Sequence, residues 1–326
     1  MKWKHARTEG KIQAQGLGVH FAAELDKDDT LEDQEASFLL REFIQNALDA
    51  KSPKNQGPVK VSVKEIEVSK GLLRKYGIDD LENLLVSSFT KSEKAGKKFN
   101  ENKFREYFNS DKVTCLVLED FGTTGLKGSF LDEKNDLQLF MEYEGITSKK
   151  GGKTSGSQGI GKNMFNRSSG IGTIMFTSTR DESPTSVFSG ISLYDGYKNN
   201  NDKYAGVSYL SKELAPNIVP YISDDFQDYS ENKAIIEDFA EDFKINRQDG
   251  ENGLTVVIVC IKPFAKKEAI IREIVKQFDY AILGNQLDFE FTGNNDEKLE
   301  LSSANALDFV EDNDQKIFLE FINQYH

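Results

Sequence analysis

Short apolar runs closed off by turn residues constrain this chain most. VTCLVLE (residues 113–119), TIMFTST (173–179), TSVFSGISLY (185–194), YAGVSYL (204–210) and LTVVIVCI (254–261) are rich in β-branched and aromatic side chains. Each has the length of a strand and is too short for a buried helix. PVKVSVKEIEV (58–68) alternates apolar and polar residues, as a strand with two different faces must, and LDFEF (287–291) is a further strand. The helical periods lie elsewhere. Phe38, Leu39, Phe43, Ile44, Ala47 and Leu48 recur at helical spacing within residues 31–50, and Pro53 and Gly57-Pro58 end that pattern. Residues 72–108 read as short charged helices, residues 267–282 as an amphipathic helix, and the C-terminal residues as a final helix. Long stretches of strand without intervening helices point to an α/β (α+β) two-layer sandwich more than to a regular βαβ repeat.

Composition narrows the function classes. With 326 residues and 38% hydrophobic side chains there is enough apolar material for a full core. The formal net charge is −13, which argues against gripping nucleic acid as the main task of this chain, although a local basic groove is compatible with it. Three histidines (His5, His20 and His326) leave little material for zinc sites or histidine-based triads. Cys115 and Cys260 both sit in strand-like apolar runs and read as buried, reduced thiols. No apolar run reaches the length of a membrane span, and MKWKHARTEG has no signal-peptide core, so cytoplasm is the expected compartment.

Three segments carry candidate chemistry. In REFIQNALDA, the polar Glu42, Asn46 and Asp49 fall at spacings of four and three, which puts them on one helical face. There Asn46 can offer an oxygen to Mg²⁺, and Glu42 can orient and deprotonate a water. Taken alone, the three read as the solvated stripe of an amphipathic helix. In LEDFGTTGL, Asp120 follows a buried strand, where it can accept a hydrogen bond from an exocyclic amine, while Gly122 and Gly125 let backbone approach a flat ring. An ordinary strand-ending turn uses the same residue types. In GSQGIGKNMF, glycines entering a helix free backbone N–H groups for phosphate, and Lys162 adds positive charge; a flexible loop before a helix fits as well.

The rival motifs fail on specific residues. A Walker loop would need Ser or Thr after Lys162, and Asn163 stands there. Asp120-Phe121-Gly122 spells the kinase magnesium motif, but no HRD-like catalytic loop lies upstream.

In this order, the three segments resemble the GHKL (Bergerat-fold) ATPases, the family of gyrase, the heat-shock chaperones, histidine kinases, MutL and MORC. Glu42-x-x-x-Asn46-x-x-Asp49-Ala50 is similar to the first box of that family, Asp120-x-Gly122-x-x-Gly125 to the second, and Gly156-x-x-Gly159-Ile160-Gly161-Lys162 to the third. Gly253-Leu254-Thr255-Val256 is similar to its late Gly-Thr strand. Two departures stand out: an extra Thr precedes the last glycine of the second box, and Leu254 splits the Gly-Thr pair.

The resemblance implies a mixed, largely antiparallel sheet with helices on one face, and an ATPase that depends on Mg²⁺. It makes Glu42 the general base, Asn46 the magnesium ligand, and Asp120 the reader of the adenine amine, with Thr255 helping through water. Gly159, Gly161 and Lys162 would hold the terminal phosphates, with Gly156 and Ile160 also binding the nucleotide, beneath a lid over about residues 126–156. The ATP-binding domain would span residues 1–265. Residues 266–326 would form an appendage, a reduced transducer or the start of a longer protein. The presence of Glu42, and the lack of a phosphoacceptor His on a preceding helix, favour the hydrolytic branches over the histidine kinases. The expected output is an ATP-driven switch that dimerises, serving a DNA-transaction, defence or chaperone-like system and acting with a partner protein or further domain. The alternative is a nucleotide-sensing interaction module with little turnover.

Overall fold

A computed structural model describes residues 1–7, 33–91, 101–128, 135–141, 164–182, 185–194, 196–199, 202–212, 219–223, 229–248, 250–263 and 267–310. Among these, the strands are β1 (Trp3–Arg7), β2 (Val59–Ser69), β3 (Lys112–Phe121), β4 (Thr173–Thr179), β5 (Ser186–Leu193), β6 (Lys198–Asn199), β7 (Asp202–Leu210), β8 (Tyr221–Ile222), β9 (Gly253–Ile258), β10 (Leu287–Thr292) and β11 (Lys298–Leu301). The helices are α1 (Asp33–Asp49), α2 (Lys70–Lys75), α3 (Ile78–Lys91), α4 (Glu101–Asn109), α5 (Asp136–Met141), α6 (Tyr229–Asp242) and α7 (Lys267–Leu283). The third glycine-rich segment (Gly156, Gly159, Ile160, Gly161 and Lys162), most of the expected lid and the expected final helix lie outside the described residues.

The strands form one eleven-stranded sheet in the order β1-β7-β5-β4-β9-β3-β2-β10-β11, with β6 paired to β7 and β8 to β5. The β2–β10 pairing is parallel and the other described pairings are antiparallel. The expected mixed α/β sandwich with a largely antiparallel sheet is therefore present.

Alternation along the central strands feeds two separate cores. Leu116, Leu118, Ile174, Phe176, Val256 and Ile258 point to one face, where they meet Leu39, Phe43, Ile44 and Ala47 of α1 and Ile274 and Ile282 of α7. The residues between them, Cys115, Val117, Met175, Val257 and Val259, point to the other face. There they meet Leu73 and Tyr76, Leu81 and Leu85 of α3, Phe108 of α4, and Phe239 and Phe243 of α6. The helices thus cover both faces of the sheet, not one. The central strands show this in their burial: all seven residues of β4 are buried, as a strand enclosed on both faces requires.

Of the segment expected as an appendage, the described residues 267–310 are built into the same body. β10 pairs with β2 from Leu287↔Val59 to Thr292↔Lys64, and α7 supplies part of the core under α1. The boundary placed at residue 265 accordingly has no counterpart in sheet or core. At the far edge β1 pairs with β7, and the Trp3 indole N–H donates to the Tyr76 carbonyl at 2.9 Å. No helix among the described residues is long and apolar enough to cross a membrane.

Candidate functional site

The apolar stripe of α1 is sunk into the core, so its polar residues face outward: Glu42 is half-buried, while Asn46 and Asp49 are exposed. Where α1 ends, the chain is stitched to the turn that follows β3. The Ala50 carbonyl accepts from Thr124 N–H at 2.8 Å, Ser52 N–H donates to the Gly122 carbonyl at 3.0 Å, and Lys51 forms a β-bridge with Thr123. These contacts join residues seventy or more positions apart and set the last turn of α1 beside the Asp120–Gly125 turn. The first two polar segments found in the sequence are therefore neighbours in space.

Asp120 is 4% exposed, and its Oδ1 accepts from Thr123 Oγ1 at 2.6 Å and from Leu254 N–H at 2.9 Å. Its Oδ2 accepts no hydrogen bond among the described residues. Burial pushes this carboxyl above the usual aspartate range, and the Arg247 charge, Thr123 and Leu254 N–H pull the other way. A carboxylate held by one oxygen, with the other open, is suited to accept from a ligand amine.

The turn itself depends on glycine. Gly122 has φ +74° and Gly125 has φ +63°. A Cβ on Gly125 would lie 2.3 Å from the Thr179 carbonyl oxygen, and one on Gly122 would lie 2.2 Å from Asn55 Nδ2. Gly125→Ala is expected to cost about 1–3 kcal/mol for the left-handed backbone alone. An unfolding midpoint in denaturant equal to that of the unmodified chain would refute this. The additional threonine of the turn also has a place. The Thr123 hydroxyl donates to Asp120 Oδ1, while Thr124 holds the turn to Ala50 through its backbone N–H and donates its hydroxyl to the Gly125 carbonyl. On the far side, Ser178 Oγ accepts from Leu126 N–H at 2.9 Å and donates to the Gly253 carbonyl at 3.0 Å, linking the turn to β4 and β9.

Thr255 is not brought to Asp120. In the β3–β9 ladder Thr255 pairs with Glu119, so its side chain lies on the face of Val257, while Asp120 belongs to the face of Leu118 and α1. Its hydroxyl accepts from Arg247 Nη2 at 3.2 Å. The water-mediated partnership expected from the late Gly-Thr strand is replaced by a backbone contact from Leu254. The residue that splits the pair shifts the threonine to the other side of the sheet.

Sequence reasoning also passed over Arg247. It lies in INRQDGENG, where a single arginine among polar residues carries no spacing signal. Gly253 belonged to a quoted motif, but its reason is visible only in three dimensions. Its φ is +146°, and a Cβ there would stand 2.2 Å from the Asp120 carbonyl oxygen.

Among the described residues no group of three or more His, Cys, Asp or Glu side chains is arranged to hold a metal ion. Comparison with protein-family models gives no match, and comparison with the curated proteins gives none either.

Proposed function

We propose that this chain binds ATP with Mg²⁺ beside the last turns of α1 and hydrolyses it, acting as a nucleotide-driven switch that dimerises. The observation that supports the reading is the stitching of the α1 end to the Asp120 turn. It sets the end of an outward-facing Glu-Asn-Asp stripe next to a buried carboxylate whose Oδ2 accepts no hydrogen bond among the described residues. In this reading Asp120 Oδ2 accepts from the adenine amine, and Gly122 and Gly125 leave room for the ring. Asn46 gives its carboxamide oxygen to Mg²⁺, which neutralises phosphate charge when bound. Glu42 takes a proton from the attacking water. The phosphates fall to Gly159, Gly161 and Lys162, with Gly156 and Ile160 in the same nucleotide-binding segment.

The donor set fits magnesium bound in this manner. Mg²⁺ is commonly held by one or two protein oxygens with phosphates and water completing the octahedron, and needs no cage of carboxylates. Asn46, exposed at the helix surface, can supply such an oxygen.

Asn46→Ala removes that oxygen without touching the core. ATP affinity measured by calorimetry with Mg²⁺ is expected to fall about tenfold, the equivalent of roughly 1.4 kcal/mol. Affinity in the presence of a chelator should stay the same. An undiminished magnesium enhancement in the variant would remove Asn46 from the site, and a wild-type chain that binds no ATP would end the proposal.

A further inference from the structure

The β3–β9 ladder runs from Leu116↔Ile258 to Glu119↔Thr255 and stops one residue short of Asp120. Beyond that point the two chains are held by a side chain. Arg247, between α6 and β9, donates through Nη2 to the Asp120 carbonyl at 2.6 Å and to the Leu254 carbonyl at 3.0 Å. Through Nη1 it donates to the Asn252 carbonyl at 2.8 Å, and its guanidinium carbon lies 4.8 Å from the centre of the Phe121 ring. A planar fork with five donors can bridge several carbonyls at once, which a lysine cannot match.

This clamp acts directly on the geometry of Asp120. Leu254 contributes its N–H to Asp120 Oδ1 and its carbonyl to Arg247, so the same peptide segment orients the carboxylate and is anchored by the guanidinium. The fit is close: a Cβ on Gly253 would lie 2.5 Å from Arg247 Nη1 and 2.6 Å from Asp120 Oδ1. We infer that Arg247 is a positioning residue for base recognition, locking Asp120 against Leu254 so that the second carboxylate oxygen is presented to a ligand amine. The inference rests on the reading of Asp120 given above.

Packing alone does not account for an arginine here. Its Nε is buried without an acceptor among the described residues, and burial lowers its pKa. Among the described residues the carboxylates acting on it are Asp120, Glu119 and Glu251, with Lys64 acting on Glu119 from β2. Of these, Glu119 is engaged by Asn246 N–H at 3.1 and 3.2 Å. The charge of Arg247 is thus directed at the strand end that carries Asp120.

The test compares Mg-ATP with purine riboside triphosphate, which lacks the amine that Asp120 would bind. Arg247→Met is expected to weaken ATP about tenfold, the size of one hydrogen bond to a charged group, and to leave the amine-free analogue within about twofold. Arg247→Lys keeps the charge and should recover part of the loss, which also guards against a methionine variant that fails to fold. Equal weakening of both ligands, or of neither, would overturn the inference. A second readout does not need nucleotide: the Asp120 carboxyl carbon followed by NMR through a pH titration. Its midpoint should move upward in Arg247→Met, because the cation that opposes the effect of burial is gone. A midpoint and chemical shift equal to those of the wild type overturn the inference even if the chain binds no ATP. Conversely, if Asp120→Asn keeps full preference for ATP while the NMR midpoint moves as expected, the base-recognition role falls and the clamp itself stands.

Discussion

Glu42→Gln is expected to slow ATP hydrolysis by about 10²–10⁴-fold, the usual contribution of a positioned general base, while ATP affinity stays nearly unchanged. The amide has the size of the carboxylate but cannot take a proton from water. The substitution should also be structurally mild, because Glu42 is half-buried on the outward side of α1 and the core contacts of that helix come from Leu39, Phe43, Ile44 and Ala47. Steady-state turnover beside equilibrium binding measures the two effects separately. If ATP closes a dimer and hydrolysis reopens it, the variant should remain dimeric in Mg-ATP when sedimentation is followed over time. Equal turnover in both proteins would take Glu42 out of the chemistry. Binding without turnover in the wild type would favour a nucleotide sensor over an ATPase.

Asp120→Asn should weaken ATP by about 10- to 100-fold, the loss of a hydrogen bond to a charged acceptor of about 1.5–3 kcal/mol. The asparagine amide can accept from Leu254 and Thr123 through its oxygen, but it then turns an NH₂ toward the amine of the base. Stability should move in the opposite direction. The carboxyl of Asp120 is raised above its ordinary value of 3.8 by burial, so the folded chain holds its proton more tightly than the unfolded chain. The stability this gives is present below the unfolded pKa and is lost as pH rises through the folded pKa. Asparagine carries no such charge. The difference in unfolding free energy between variant and wild type should therefore grow in favour of the variant as pH rises through that window. Glu119, raised in the same direction by burial, titrates in both proteins and leaves a residual slope. The result to watch is a variant that binds ATP worse yet resists denaturant better at neutral pH. A variant that loses both properties equally would make Asp120 a structural residue.

The two effects share one physical cause. A carboxylate kept 4% exposed costs desolvation, which the fold offsets only in part through Thr123, Leu254 and Arg247. In the proposed reading such a site is worth less to stability than to recognition, since the second carboxylate oxygen gains its donor only when a ligand arrives.

Local pattern by itself determined many of the segments that become strands and helices. The helical period over residues 31–50 corresponds to α1 at Asp33–Asp49, and the amphipathic stretch at 267–282 to α7 at Lys267–Leu283. The apolar runs at 113–119, 173–179 and 254–261 became β3, β4 and β9. Side-chain alternation and turn residues act over a few positions, so these elements are written where they form. WKHAR and KLEL are too short and too charged to announce β1 and β11, which exist because β7 and β10 offer them an edge. The same holds for α6, whose Phe239 and Phe243 find their purpose against Tyr76 and, for Phe239, Phe188.

Only the tertiary structure decided what lies on which side. Helices on both faces follow from central strands that carry apolar side chains on both sides, a pattern that does not say which helix will cover which face. That residues 287–292 would pair with β2 depends on contacts across more than two hundred positions. Leu254 turns Thr255 away from Asp120 because one residue reverses the face in a strand. Arg247 reaches Asp120 through carbonyl groups, and every residue has a carbonyl; a contact of that kind leaves no trace in the choice of side chain at the position it grips.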